Sequence, residues 1–313
     1  MEYKMLGRSG LKVSVAGLGS GGPSRLGQRN HKTERESIQL VRQALDLGIN
    51  LLDTAESYGT ESIIAKAIAE VPRGRVVIST KKVPPSPHSK DPAGELRKGL
   101  EQSLRNLGTD YVDIYHLHGV TPEQYTYSLN VLAPVLMRMK EEGKIRSLGI
   151  TEAFVPDPSH KMLQRALKDN CWDVVMVGFN MLNQSARKQI LPQTLKQDIG
   201  VLVMFALRRT LSRPDRLNQA VADLKQRGLV DPDSCDPGNP LGFLTENGAA
   251  SGLPEAAYRY CRHEPGVHTV LMGTGDPEHL KSNVESFLKP PLPEEDLIRL
   301  EEIFAKVDCI SGN

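Results

Sequence analysis

Asp91-Pro92-Ala93-Gly94-Glu95-Leu96-Arg97-Lys98-Gly99-Leu100-Glu101-Gln102-Ser103-Leu104-Arg105-Asn106-Leu107-Gly108, followed after a short gap by Val112-Asp113-Ile114-Tyr115-His116-Leu117-His118, holds one complete helix-to-strand unit. Aspartate is a good helix N-cap, and proline suits the first helical turn, where its missing N–H has no partner to lose. Leu96, Leu100, Leu104 and Leu107 fall on one stripe, and Gly108 stops the helix. The run from Val112 is short, largely aliphatic and closed by polar residues, as expected of a parallel strand covered on both faces.

Seven further runs share that character, at residues 13–18, 49–53, 76–81, 146–150, 174–177, 201–205 and 269–272. Between them lie segments with helical apolar spacing. Thr33 with Glu36 forms a capping box, Ile38, Val41 and Leu45 share one face, and Gly48 closes that helix. Similar patterns occupy 62–69, 129–142, 159–168, 185–197, 254–261, 276–287 and 293–305. Eight strands each followed by a helix predict an α/β fold, a (β/α)8 TIM barrel forming a single domain over residues 1–313. A doubly wound open sheet is the alternative. Before the first barrel strand, residues 3–6 and 11–13 flank Gly7-Arg8-Ser9-Gly10, which reads as a β-hairpin suited to plugging the barrel floor. About 60 residues separate the seventh and eighth strands. They include the proline-rich stretch 231–240, so a long loop forming a lid or substrate wall is expected there.

Composition narrows the function classes. The 39 basic and 38 acidic residues leave a net charge of +1, which provides no overall footprint for nucleic acid or an anionic membrane. The longest apolar run, 201–207, is far short of the roughly 20 residues that span a bilayer, and Met1-Glu2-Tyr3-Lys4 leads into no apolar signal region. A cytoplasmic protein is expected. Cys171, Cys235, Cys261 and Cys309 lie far apart with no C-x-x-C pair, which argues against a zinc ribbon or a disulfide scaffold.

In a barrel of this kind the chemistry sits where strands end. Those ends carry Asp53 with Tyr58 a few residues on, then Lys81, then His116 and His118. A tyrosine is a poor acid at neutral pH, but a neighbouring ammonium stabilises its phenolate, and a carboxylate keeps a buried ammonium charged. A histidine beside them can donate to a substrate oxygen or orient it. Together they can protonate a carbonyl oxygen while hydride arrives at carbon, or run the reverse oxidation. Singly, each has an ordinary role open to it: Asp53 as a turn cap, Tyr58 as a packing ring, Lys81 or Lys82 as a solvated strand end, His116 or His118 as a core residue.

Their joint placement resembles the aldo-keto reductases. The resemblance rests on Leu6-Gly7-Arg8-Ser9-Gly10-Leu11-Lys12-Val13-Ser14, on Asn50-Leu51-Leu52-Asp53-Thr54-Ala55-Glu56-Ser57-Tyr58-Gly59, on Val77-Ile78-Ser79-Thr80-Lys81 and on Tyr111 to His118, and it runs from Met1 to about Phe287. It implies a barrel that binds NADP(H), ahead of NAD(H), in extended form at the strand ends. The family's tetrad falls on Asp53, Tyr58, Lys81 and His118, with Tyr58 as general acid/base. Thr151 and Glu152 stand where a serine and an asparagine often hold the cofactor's carboxamide. Met176 replaces a glutamine of that clamp, and Met204 the aromatic ring that stacks on the nicotinamide. Gly273, Thr274, His279 and Asn283 belong to a loop like the family's adenosine-end loop, with His279 where an arginine often meets the 2′-phosphate. Asp276-Pro277 there opens a helix whose N-terminus favours a phosphate. Arg208, with Arg209, is a candidate for the pyrophosphate.

The expected function is therefore NAD(P)-dependent oxidoreduction between a small-molecule carbonyl, whether aldehyde, ketone or sugar, and its alcohol. Two other classes stand beside it. One is a cofactor-binding sensor barrel with little turnover, suggested by the altered clamp. The other is a metal-dependent hydrolase built on His116-x-His118, which requires a third ligand that no other strand end supplies as His, Cys or Glu.

Overall fold

The computed structural model describes residues 1–313. Strands β1 (Tyr3–Met5) and β2 (Lys12–Ser14) form an antiparallel hairpin in which Lys4 pairs with Val13. The eight strands that follow are β3 (Ala16–Gly19), β4 (Leu51–Asp53), β5 (Val77–Lys82), β6 (Val112–Val120), β7 (Ile145–Glu152), β8 (Val174–Gly178), β9 (Gly200–Met204) and β10 (Thr269–Met272). They close in sequence order into a parallel barrel, sealed where β10 pairs with β3. The hairpin lies under the barrel at the strands' N-terminal ends. Arg8 N–H donates to the Asp198 carbonyl and Lys4 Nζ to the Val267 carbonyl, just ahead of β9 and β10. Leu6, Leu11 and Val13 pack against the inward-facing Leu51, Val77, Ile114, Val174 and Leu202. With the floor sealed by apolar side chains, access to the barrel is confined to the C-terminal rim.

The helices stand where their capping chemistry puts them. Thr33 and Glu36 form the full reciprocal box at the start of Glu34–Asp46. Asp91 accepts from Gly94 N–H at 2.8 Å, Pro92 opens the helix Pro92–Leu107, and Gly108 ends it in a left-handed conformation. The buried stripe of that helix includes Leu96, Leu100, Leu104 and Leu107. No helix is long and apolar enough to cross a membrane.

Four local expectations need correcting. The run 13–18 is divided at Val15, with one half in the hairpin and the other in the barrel. The expected helix 185–197 is two, Ala186–Gln189 and Leu191–Lys196, because Pro192 has no N–H to continue the ladder and its ring crowds the carbonyl four residues back. The segment 129–142 starts as a π-helical turn, Ser128–Leu132, and becomes α-helical at Ala133–Glu141, where Pro134 removes the donor to Asn130. Finally, the long β9–β10 connection carries a helix, Pro214–Gln226, that buries Leu217, Val221 and Leu224 on one face. The 231–240 stretch is irregular throughout.

Removing the Asp91 carboxylate leaves an orphan N–H in the first turn of Pro92–Leu107. Asp91→Ala is expected to lower the unfolding free energy by about 1 kcal/mol in chemical denaturation. A change within about 0.3 kcal/mol would mean solvent satisfies that turn equally well.

Candidate active site

Adjacent parallel strands bring the charged pair together. Asp53 ends β4 and pairs in register with Ser79 of β5, two residues before Lys81. Lys81 is 1% exposed and Asp53 3%, so neither ion is shared with bulk water. Lys81 Nζ donates to both Asp53 oxygens, at 2.8 and 2.7 Å, and to the Thr54 carbonyl at 2.6 Å.

Tyr58 closes the single 3-10 turn after β4, Glu56–Tyr58, and Gly59 releases the chain through a left-handed backbone. Its ring lies against Gly21, where an added Cβ would come within 2.4 Å of the aromatic carbons. Lys81 Nζ sits 5.1 Å from the ring centroid, and the hydroxyl is 3.3 Å from His118 Nε2. The Tyr58 and His118 rings meet edge to face at 83°. Burial and then the charge of Lys81 push His118 down to about 3, so its imidazole is neutral at physiological pH. All four members of the expected tetrad thus meet at one point on the rim.

A cleft of about 640 Å³ opens beside Tyr58. Met176, Met204, Arg208, Gly273, Thr274, His279 and Asn283 line it together with Asp53 and Tyr58. Thr151 and Glu152 do not. Thr151 Oγ1 accepts from Gly119 N–H at 2.6 Å. The Glu152 carboxylate is fully buried, where it accepts from Gly178 N–H at 2.8 Å and bonds His160 Nδ1 at 2.9 Å. Burial pushes that carboxyl up, against the pull of His160 and the Gly178 N–H. The helix N-terminus at Asp276 also departs from expectation. Its Oδ1 takes the Glu278 and His279 N–H groups at 2.8 and 3.1 Å, so those donors are already satisfied without a phosphate.

Phe205 is a cleft residue that the sequence reading placed only in a strand. Its backbone is left-handed, at φ +66°, it packs edge to face on Phe154, and the Arg208 guanidinium lies 4.1 Å from its centroid. The unusual φ cannot be seen in sequence, although an aromatic next to a strand end is a visible hint. Arg208 Nε is buried without a partner, and no carboxylate pairs with this side chain. Around His116-x-His118 no group of three or more His, Cys, Asp or Glu is placed to hold a metal ion.

The His118 shift has a sign that can be checked. The unfolded chain binds a proton at this residue below about pH 6.5 and the folded one does not, so its burial lowers stability as pH falls from about 6.5 toward 3. In NMR the His118 ring proton should keep its neutral shift from about pH 8 to 5, whereas a midpoint near pH 6.5 would mean a solvated ring.

The sequence profile of the aldo/keto reductase family matches residues 17–305. Among related sequences, the uncharacterized oxidoreductase YqkF of Bacillus subtilis is 26% identical over 314 residues, covering 96% of both chains. L-galactose dehydrogenase of Arabidopsis thaliana is 27% identical over 293 residues, covering 91% of this chain and 87% of that one. The solved structure of aldo-keto reductase AKR11C1 from Bacillus halodurans, in its holo form, superposes with a TM-score of 0.73 at 24% identity over 96% of both chains. With the family profile spanning nearly its whole length and the fold shared, this chain belongs to the aldo/keto reductase family of oxidoreductases.

Proposed function

We propose that the protein interconverts a small-molecule carbonyl and its alcohol with NADP(H), ahead of NAD(H), using Tyr58 as general acid/base. The observation that carries this reading is the buried Lys81–Asp53 pair lying under the Tyr58 ring while His118 approaches the hydroxyl.

The cleft residues suit the parts of an extended dinucleotide. Met176, Met204 and Phe205 give a flat, polarisable surface near Tyr58 for a ring. Arg208, with an unpartnered buried Nε, suits a pyrophosphate. Thr274, His279 and Asn283 suit the adenosine end. The carboxamide would have to find partners other than Thr151 and Glu152. A nicotinamide bound along this surface would supply hydride to the carbonyl carbon.

In reduction, the Tyr58 hydroxyl gives its proton to the carbonyl oxygen, and the phenolate left behind is stabilised by the Lys81 ammonium. Asp53 keeps that ammonium charged within the barrel. Neutral His118 uses Nε2 to orient the substrate oxygen or share the phenolic hydrogen. Kinship with L-galactose dehydrogenase favours an aldose or polyol among the substrates. A cytoplasmic location belongs to the same reading.

The internal engagement of Thr151 and Glu152 favours a second reading, a barrel that binds nucleotide and turns over little. Calorimetric titration with NADPH and NADH, followed by a carbonyl and sugar screen, separates the two. Micromolar binding with turnover supports the enzyme, while tight binding without turnover supports the sensor. Tyr58→Phe should lower kcat by about 100-fold or more and leave the NADPH Kd within about twofold. Equal losses in both would assign Tyr58 to cofactor binding instead.

A further inference from the structure

Asp53 is held from a second side, deeper in the barrel. Ser79 Oγ donates to Asp53 Oδ1 at 2.8 Å, and His116 Nε2 lies 3.1 Å from the same Oγ. A carboxylate only accepts, so the single Ser79 hydrogen points at Asp53, and His116 must donate its Nε2–H to the Ser79 oxygen. The line therefore has one direction, from His116 through Ser79 to Asp53, with Lys81 closing on both carboxylate oxygens.

His116 is a poor choice for simple core filling. It is fully buried, and burial with the nearby charges of Lys81 and His118 drives it well below the ordinary histidine range, so the ring is neutral. Its Nδ1 is buried without a partner. A polar atom left unsatisfied in this way costs about 1–3 kcal/mol, which an aliphatic side chain would avoid. Room for the ring exists only because residue 149 on β7 is glycine, since a Cβ there would lie 2.2 Å from His116 Nδ1. Its one hydrogen-bonded partner is Ser79.

We propose that His116 and Ser79 are positioning residues that aim the Asp53 carboxylate at Lys81 and so set proton transfer at Tyr58, without touching substrate. This rests on the reading of Tyr58 as general acid/base. The groups facing Tyr58 are Lys81 beneath its ring, His118 at its hydroxyl and Arg208 across the cleft, and the relay reaches the phenol only through Asp53 and Lys81.

The test uses the full chain without cofactor or substrate. Ultraviolet tyrosinate absorbance followed against pH, with Tyr58→Phe subtracted, isolates the Tyr58 step. In His116→Leu and in Ser79→Ala that step should move to higher pH by about half a unit or more, because a loosened Asp53 holds the Lys81 charge less firmly. His116→Gln, which keeps an N–H donor at a similar reach, should restore most of the wild-type position. With a substrate in hand, kcat for reduction should fall about tenfold or more in either single variant, with KM within about twofold. The double variant should be no worse than either single one, since the two residues act in line. An unmoved Tyr58 step in Ser79→Ala, or additive losses in the double variant, would overturn the relay and leave His116 as packing. If His116→Leu fails to fold, Ser79→Ala and His116→Gln decide the matter. A shifted absorbance step in a protein with no turnover would uphold the relay and remove the oxidoreductase reading.

Discussion

The active rim depends on keeping two opposite charges dry and in contact. Removing an ammonium and a carboxylate from water costs several kcal/mol for each ion, and their mutual attraction offsets this only with close geometry and further hydrogen bonds. Lys81 and Asp53 meet both conditions. Two contacts join them, the Thr54 carbonyl takes another lysine proton direction, and Ser79 occupies the carboxylate from below. The geometry is a consequence of barrel register. With Asp53 opposite Ser79, the lysine two residues on projects from the same face of β5 and reaches back across the β4 end. A slip of one residue between those strands would send the side chain to the opposite face.

Around that pair the chain shows features of its own. The polar atoms of Thr151 and Glu152, at the end of β7, are turned inward to Gly119, Gly178 and His160, and His160 stacks on Phe154 at 5.3 Å. Phe154 in turn supports Phe205, on which Arg208 rests. A buried acid–imidazole pair therefore underlies an aromatic wall of the cleft. The wall beside Tyr58 is apolar and thioether in character, with Met176, Met204 and Phe205 lining it.

The layout was legible because its signals are local. Capping residues, a leucine stripe and short aliphatic runs each depend on a few neighbouring positions, and the rim residues Asp53, Tyr58, Lys81 or Lys82 and His116 or His118 are visible in the same way, with the family resemblance choosing among them. What escaped depends on distant partners. Nothing within 13–18 shows that its halves join different sheets. The helix Pro214–Gln226 had a readable Leu217, Val221, Leu224 spacing, yet its polar surroundings outweighed three apolar residues. Glu152 looks like a cofactor ligand until His160 and Gly178 arrive by folding, whereas Asp276-Pro277 carries the same capping signal as Asp91-Pro92, and its carboxylate rather than a phosphate takes the first-turn N–H groups. In sequence His116 reads as either a metal ligand or a core residue, while its bond to Ser79 needs the β5–β6 register to appear.

Closure of the barrel carries a kinetic consequence. Ala16 finds its partner Val270 about 250 residues further along the chain, and the other parallel pairs are also non-local. Loop-closure entropy must be met before such pairings are rewarded, so assembly of this domain is slow compared with that of a helical bundle of similar size. During synthesis one edge of β3 waits for nearly the entire chain, a situation that invites pairing with strangers. That edge is only four residues long and two of them, Gly17 and Gly19, are weak strand formers. A short, glycine-rich opening strand makes a poor template for aggregation, and it protects the nascent protein until β10 arrives.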